Sequence, residues 1–149
     1  MESISTNDIK IKTLCSLAKG FNFSGRDIPY PSALKCSLIS GGYLKKLCEG
    51  DEYALLEFLL TALDLSGYPA ELPQEGTLNK FDFESGAFTD EGEGAPVSMS
   101  TVEMLRFALY HEGAPSSDGY KRALRLLRSY FSYHTEEDLP TVGELLNIL

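Results

Sequence analysis

The residues of this sequence with the clearest chemical character lie in the stretch 81–93. Five acids fall within twelve residues there without a base between them, and three phenylalanines alternate with the acids. Carboxylates orient a complex and speed its formation with a basic surface, while aromatic side chains anchor an interface. The sequence therefore predicts a partner-binding site composed of Phe81, Asp82, Phe83, Glu84, Phe88, Asp90, Glu91 and Glu93. The alternative interpretation is a solvated acidic loop that serves only solubility, with the phenylalanines holding a hairpin to the core.

The same stretch also comes close to a calcium-binding loop. Acids stand at positions 1, 3, 9 and 12 of a twelve-residue frame that begins at Asp82, where an EF-hand loop places oxygen ligands. Position 5 is Gly86, which has no side-chain oxygen, and position 6 is Ala87, where the sharp turn needs glycine. No helix pattern enters the frame from upstream. A regulatory protein that responds to calcium or nucleic acid is therefore the third function that we consider.

The motifs of several common enzyme classes are missing from the sequence. It contains no G-x-x-x-x-G-K-[ST] or G-x-G-x-x-G phosphate-binding pattern and no G-x-S-x-G nucleophile elbow. His111 and His134 fall at the predicted ends of two helices, where the partial negative charge of the helix terminus favours them. An enzyme would have to assemble dispersed catalytic residues around His111, His134 and Glu103. This is the second function that we consider.

The three cysteines, Cys15, Cys36 and Cys48, form an odd set without a C-x-x-C pair. Each has leucine neighbours, so the sequence predicts buried thiols that act as small hydrophobic residues in a reducing compartment. Their spacings match no zinc pattern, even with a histidine added. We therefore expect neither a metal nor another cofactor.

The charge distribution indicates a basic protein as the partner. The net charge is −9 at pH 7, and residues 49–93 hold twelve acids against a single base, Lys80. An acidic chain repels phosphates, which makes nucleic acid an unfavourable partner. The polar side of a predicted helix at 118–134 holds four bases that could face nucleic acid: Lys121, Arg122, Arg125 and Arg128. Because the chain is acidic overall, the sequence instead favours an arrangement in which Arg122, Arg125 and Arg128 face solvent or the acidic segment.

The sequence shows no sign of a membrane segment or a secretion signal. No apolar run reaches the roughly 18 residues of a spanning helix, and the first five residues have neither basic groups nor an apolar core. We therefore expect a cytoplasmic protein without membrane contact. A length of 149 residues, 43% of them hydrophobic, suits a single globular domain over 1–149. The oligomeric state and the identity of the partner are not determined by the sequence.

Apolar spacing, capping residues and breaking residues predict a chain built mainly from helices. Helices are expected at 7–19, 33–39, 43–48, 51–65, 100–112, 118–134 and 141–149. Two of them begin with capping-box patterns, Ser100–Glu103 and Thr141–Glu144. The helices at 51–65 and 100–112 are expected to be central, with the helix at 118–134 lying across them.

Alternation over residues 80–89 predicts one short β-hairpin. Its turn would be the pair Ser85-Gly86, which places Phe83 opposite Phe88. The expected fold is thus mainly α, a single-domain irregular bundle of five to seven helices with one short hairpin. The leading function is a non-enzymatic protein-binding module, comparable to inhibitors, immunity proteins and antagonists, that engages a basic surface through its acidic middle region.

Overall fold

The computed structural model describes residues 9–10, 12–14, 42–65, 67–73, 76, 78–92, 94–136 and 138–149. The predicted helix at 33–39, Cys15, Cys36 and Glu93 lie outside the described residues. Within these residues there are six helices and a small antiparallel sheet, which confirms the prediction of a mainly α bundle with a short β element. The elements in chain order are α1 (9–10 and 12–14), α2 (42–48), α3 (Ala54–Leu65), β1 (Lys80–Asp82), β2 (Ala87–Thr89), β3 (Ala95–Pro96), α4 (Met99–Tyr110), α5 (Ser117–Thr135) and α6 (Pro140–Ile148).

Helix α3 is buried on nearly its whole circumference. Its described side chains are all buried except those of Glu57, Thr61 and Asp64. Leucine, phenylalanine and alanine occupy the remaining positions, so the helix packs against several neighbours at once. The buried side chains of the described residues form one hydrophobic core around it. None of the described helices combines the length and the apolarity that crossing a membrane requires.

Helix α5 connects the other helices of the bundle. It begins after Ser116, whose Oγ accepts a hydrogen bond from the backbone N–H of Gly119 at 2.9 Å. α5 contacts α3, α4 and α6, whereas α4 contacts α3 and α5. These contacts agree with the predicted placement of α5 across α3 and α4, and the burial of α3 agrees with its predicted central position. The long amphipathic α5 holds the connecting position, because its apolar face can cover three neighbours.

The predicted capping boxes are not the starts of these helices. α4 begins directly after Ser98, which has an extended backbone and whose Oγ accepts a hydrogen bond from the N–H of Thr101 at 3.3 Å. Ser98 thus caps the helix ahead of Ser100. α6 begins at Pro140 rather than after Thr141, because the fixed φ of proline suits the first helical position.

The hairpin forms with a register different from the predicted one. β1 and β2 pair Phe81 with Phe88 and Asp82 with Ala87, so Phe83 does not face Phe88. The turn therefore contains four residues, 83–86, instead of two. The free edge of β1 pairs with β3 and completes a three-stranded antiparallel sheet in the order β2-β1-β3.

Asp82 sets the length of this turn. Its backbone carbonyl accepts a hydrogen bond from the N–H of Gly86 at 2.8 Å. Its carboxylate accepts hydrogen bonds from the N–H of Glu84 at 3.0 Å and from the hydroxyl of Ser85 at 2.8 Å. The hydrogen bonds from Ser85 and Glu84 lower the pKa of the Asp82 carboxyl. Gly86 closes the turn at φ +74°, a conformation that disfavours any side chain.

An arginine–carboxylate pair joins α5 to the start of α6. Arg128 donates from Nε to Oδ1 of Asp138 at 2.8 Å and from Nη2 to Oδ2 at 2.9 Å. Two parallel hydrogen bonds of this kind favour the ionised carboxylate. They lower the pKa of Asp138 from its ordinary 3.8 to about 2.

This pair predicts a stability contribution that disappears in acid. A carboxyl whose pKa is lower in the folded state stabilises fully above about pH 4, and the contribution disappears as the pH falls toward about 2. Because both side chains are partly exposed, we expect less than about 1 kcal/mol. Carbon-detected NMR titration of the Asp138 carboxyl should show a return toward the ordinary pKa in Arg128→Gln. Arg125→Gln is the control, and an equal shift in both variants would contradict the assignment.

Candidate functional site

The predicted binding residues separate into a buried and an exposed group. Phe81 and Phe88 are buried in the core with their ring centroids 4.7 Å apart, so neither is accessible to a partner. Phe83 is half-buried at the turn, and Asp82 is half-buried and bonded within the turn. The exposed members among the described residues are Glu84, Asp90 and Glu91. Of the described residues predicted to bind a partner, only the acids and part of Phe83 are therefore accessible at the surface.

The hairpin is fixed to α5 by aromatic contacts and by a hydrogen bond from His134, and a second hydrogen bond joins α5 to Pro69 beside the hairpin. The ring of Phe81 lies 5.2 Å from that of Tyr130, edge to face. The hydroxyl of Tyr130 donates to the carbonyl of Pro69 at 3.0 Å, and burial, followed by the charge of Glu71, raises its pKa, so that the donor proton is retained. An added Cβ at Gly86 would overlap both the Tyr130 hydroxyl and the Pro69 carbonyl. The hairpin backbone and α5 are thus in direct contact.

His134 provides the second link between α5 and the hairpin. Its Nε2 lies 2.6 Å from the carbonyl oxygen of Phe83, and because a carbonyl only accepts, Nε2 carries the proton. The imidazole stacks on the ring of Tyr68 with centroids 5.3 Å apart and lies edge-on to Tyr130. These contacts give His134 a structural role at the turn.

The exposed acids of the hairpin are not neutralised by neighbouring bases. Among the described residues, the carboxylates of Glu84, Asp90 and Glu91 form no ion pair and accept no hydrogen bond. Lys80 is the single base of the segment 49–93, and its Nζ donates to the backbone carbonyl of Gly92 at 2.9 Å. Within the described part of the chain these carboxylates are therefore unpaired, and the ammonium of Lys80 lies beside them at Gly92.

A groove of about 440 Å³ runs along β2, and we call it the β2 groove. Glu71 forms one rim: its N–H donates to the carbonyl of Gly86 at 2.7 Å, and its own carbonyl accepts from the N–H of Phe88 at 3.0 Å. The carboxylate of Glu71 therefore projects beside the hairpin, where it is exposed. The other rim is formed by Leu109 and Tyr110, each 37% exposed. The groove thus combines apolar walls with an acidic edge.

The residues of the enzyme hypothesis lie in three different surroundings. His111 is exposed, with Nδ1 4.0 Å from the carboxylate of Glu57. The carboxylate of Glu103 accepts a hydrogen bond from the N–H of Ala114 at 2.8 Å and so closes the loop after α4. His134 lies against the hairpin turn. The structure does not bring His111, His134 and Glu103 together as an acid–base site.

The described positions of the calcium frame, which do not include Glu93, do not converge as metal ligands. Asp82 is committed to the turn, and the frame continues directly into the paired residues of β2. In the part of the chain that is described, no three histidine, cysteine or acidic side chains converge as metal ligands. Cys48 is exposed, which corrects the prediction that it is buried, because it lies on the outer side of the short helix α2.

Three basic residues of α5 find partners within α5 or in the C-terminal residues that follow it. Arg122 pairs with Asp118 at 2.8 Å, one helical turn away, and Lys121 donates to the carbonyl of Leu149 at 3.3 Å. Together with Arg128 and Asp138, these partners all lie outside the acidic segment 49–93. Arg125 is exposed and makes no ion pair with any described residue. The basic side chains of α5 therefore face solvent or partners outside the acidic segment, and do not pair with the described residues of that segment.

Comparisons with protein-family models, curated proteins and solved structures find no match to this chain. Function therefore has to be inferred from the chain's own surface. Sequence reasoning missed three residues that flank the hairpin: Glu71, Leu109 and Tyr110. Their proximity to the hairpin arises from the backbone bonds between Glu71 and β2, which leave no local signal in the sequence.

Proposed function

We propose that this chain is a non-enzymatic protein-binding module that engages a basic surface of its partner. The contact would be made by the acidic hairpin surface, which we define as the exposed carboxylates of Glu71, Glu84, Asp90 and Glu91. The observation that carries the proposal is that these acids are unpaired among the described residues although the hairpin that presents them is packed on the core.

Acids that serve only solubility do not need to be presented on a hairpin that packs against the core. Like charges that serve only solubility can be spread over loops, where repulsion is relieved by motion. Here the turn is held by its own hydrogen bonds and by Tyr130 and His134. Fixed charges give an interface orientation and increase the association rate with a surface of opposite sign.

Apolar side chains flank the acids on two sides, as an interface requires. Next to the turn, Phe83 and Tyr133 lie with ring centroids 5.8 Å apart, and Tyr133 is 57% exposed. On the opposite side, the β2 groove presents Leu109 and Tyr110. Aromatic and aliphatic groups beside charges are typical of binding surfaces, where they contribute most of the affinity.

Inhibitors, immunity proteins and antagonists are the functional classes that this proposal favours, because their activity resides in a complementary surface. A cytoplasmic location remains part of the proposal, and the exposed free thiol of Cys48 is compatible with a reducing compartment. Nucleic acid is the less suitable partner, since the surface with unneutralised charge is acidic.

Reversing the charge of the hairpin acids should abolish capture of the partner. We expect the triple variant Glu84→Lys, Asp90→Lys and Glu91→Lys to capture partner proteins from source lysate at least about tenfold less well, because each attraction becomes a repulsion. The loss should be largest at 0.01 M salt, where the Debye length is about 30 Å, and smaller at 0.15 M, where it is about 8 Å.

A charge-matched variant makes this experiment specific. The control reverses three exposed acids on other elements: Glu49, Glu52 and Glu144. It changes the net charge of the chain equally but leaves the hairpin intact, so capture should persist. Equal capture by both triple variants at every salt concentration would show that the acidity serves solubility alone.

A further inference from the structure

A second concave site lies on the other side of Ala70 and Leu109, and we call it the α3 cleft. It has a volume of about 450 Å³ and opens between α2, α3, the residues Pro69 and Ala70, and the end of α4. Ala70 and Leu109 also line the β2 groove, so the two concavities adjoin. A cleft of this volume accommodates a small ligand or one large side chain.

The polar stripe of α3 forms a wall of this cleft. Glu57, Thr61 and Asp64 are the three described side chains of α3 that are not buried, and all three line the cleft. On a helix that is otherwise surrounded by core, the polar positions thus face a concavity instead of a convex outer surface. Leu60 and Ala108 add apolar surface to the same space.

The cleft already holds one alkylammonium group, which is supplied by the chain itself. Nζ of Lys46 lies 3.5 Å from the carboxylate of Glu57 and 5.0 Å from the centroid of the Tyr43 ring. The Glu57 side chain is only 12% exposed, so this pair lies inside the cleft. A carboxylate and an aromatic face together are a favourable environment for an organic cation.

The second carboxylate of the cleft lacks such a partner. Asp64 lies seven residues after Glu57, about 10 Å further along α3. Among the described residues, its carboxylate forms no ion pair and accepts no hydrogen bond. The cleft therefore has two acids and one ammonium, with His111 near the acid that is already paired.

We propose that the α3 cleft binds an ammonium or guanidinium group on an alkyl stem, with the cation at Asp64 and the stem along Pro69, Ala70 and Leu109. The mixed lining supports this chemistry, because the acid attracts the charge while apolar surface covers the methylene groups. Such a group occurs both in free amines and in the lysine or arginine side chains of a protein. The proposal is independent of the hairpin surface and stands on the cleft alone.

The test uses probes that reproduce only this chemistry. n-Butylammonium and n-butylguanidinium are titrated into the full chain, and the backbone amide shifts of Thr61, Asp64 and Ala70 are followed by NMR. We expect saturable shifts confined to the cleft, with dissociation constants on the order of millimolar for so small a ligand. n-Butanol, which has the same stem without the charge, should give no saturable shift.

Two variants, each lacking one carboxylate, test whether Asp64 is the residue that binds the cationic probe. Asp64→Asn should weaken binding about tenfold, the effect of losing one charge-assisted contact, whereas Glu136→Gln, which removes one exposed negative charge outside both the cleft and the hairpin surface, should leave it unchanged. Equal binding by wild type and Asp64→Asn, or shifts spread over all acidic surfaces, would overturn the proposal. The capture experiment on the hairpin acids and the titration of the α3 cleft are independent, so failure of one does not contradict the proposal that the other tests.

Two further probes distinguish the natural sources of the group. A glycine–lysine–glycine peptide with blocked ends represents a protein side chain, and spermidine represents a free amine. Saturation of the cleft amides by the peptide supports a site for a protruding lysine of a protein. Saturation by spermidine alone supports a small-molecule site. Failure of both probes and of the two butyl cations would exclude the cleft as a cation site.

Discussion

Replacing Phe81 with alanine should lower the free energy of unfolding by about 3–5 kcal/mol, the cost of emptying a buried aromatic site. Phe81 is fully buried, and its ring lies within 5.2 Å, centroid to centroid, of the rings of Phe83, Phe88 and Tyr130. Removing it takes away one of the contacts that join the sheet to α5. Chemical denaturation followed by circular dichroism measures the change, with the midpoint moving to lower urea.

Phe83→Ala is the matched control for this prediction. Phe83 is half-buried at the turn, so its removal should cost about 1 kcal/mol, the centre of the distribution for single substitutions. The register predicted from the sequence placed Phe83 opposite Phe88, and in that arrangement Phe83 would be the costlier residue to lose. An equal or larger loss for Phe83→Ala would therefore contradict the pairing of Phe81 with Phe88.

The sequence predicted the hairpin but could not determine its register, because both registers satisfy the same alternation. Moving the partner of Phe88 from Phe83 to Phe81 is a shift of two residues, which leaves every side chain on its original face. Turn length decides between the two. The observed four-residue turn is fixed by the hydrogen bonds that Asp82 forms with Glu84, Ser85 and Gly86. The sequence favoured the shorter turn because a Ser-Gly pair also resembles a two-residue turn.

The long helices were predictable because their apolar spacing is a local property. α3 and α5 agree with the predicted helices at 51–65 and 118–134, except that α3 begins three residues later and α5 is one residue longer at each end. The start of α4 differed because serine occurs at both 98 and 100, so two caps compete and the backbone geometry selects the earlier one. The placement of α5 across α3 and α4 was predicted, whereas its contact with α6 was not.

The sequence predicted that the candidate site is acidic, but it did not predict which of its residues are exposed. Exposure of Glu84, Asp90 and Glu91 follows from their acidity alone. Burial of Phe81 and Phe88 depends on which face of the sheet meets α5, a tertiary choice. The α3 cleft follows the same rule: that Glu57, Thr61 and Asp64 face a concavity depends on tertiary packing, which the sequence does not show.

Replacing Gly119 with alanine should destabilise the protein by about 1–3 kcal/mol, the range for overpacking a close contact. Gly119 lies in the first turn of α5, where helix propensity alone would favour alanine by up to about 1 kcal/mol. Packing opposes that gain. An added Cβ would overlap the backbone carbonyl oxygen of Ser100 and lie 3.0 Å from the Cβ of Met104, so α4 and α5 would have to separate.

Gly143→Ala tests whether packing or helix propensity decides if a glycine-to-alanine substitution stabilises or destabilises the protein. Gly143 also lies in a helix, α6, but its added Cβ would meet the guanidinium of Arg128 at 2.9 Å, the far end of a flexible side chain. Arg128 can move at a cost limited to its exposed pair with Asp138, so we expect a change within about 1 kcal/mol of wild type. Thermal unfolding of both variants gives the comparison. A stabilised Gly119→Ala would contradict the close approach of α4 and α5 at Ser100.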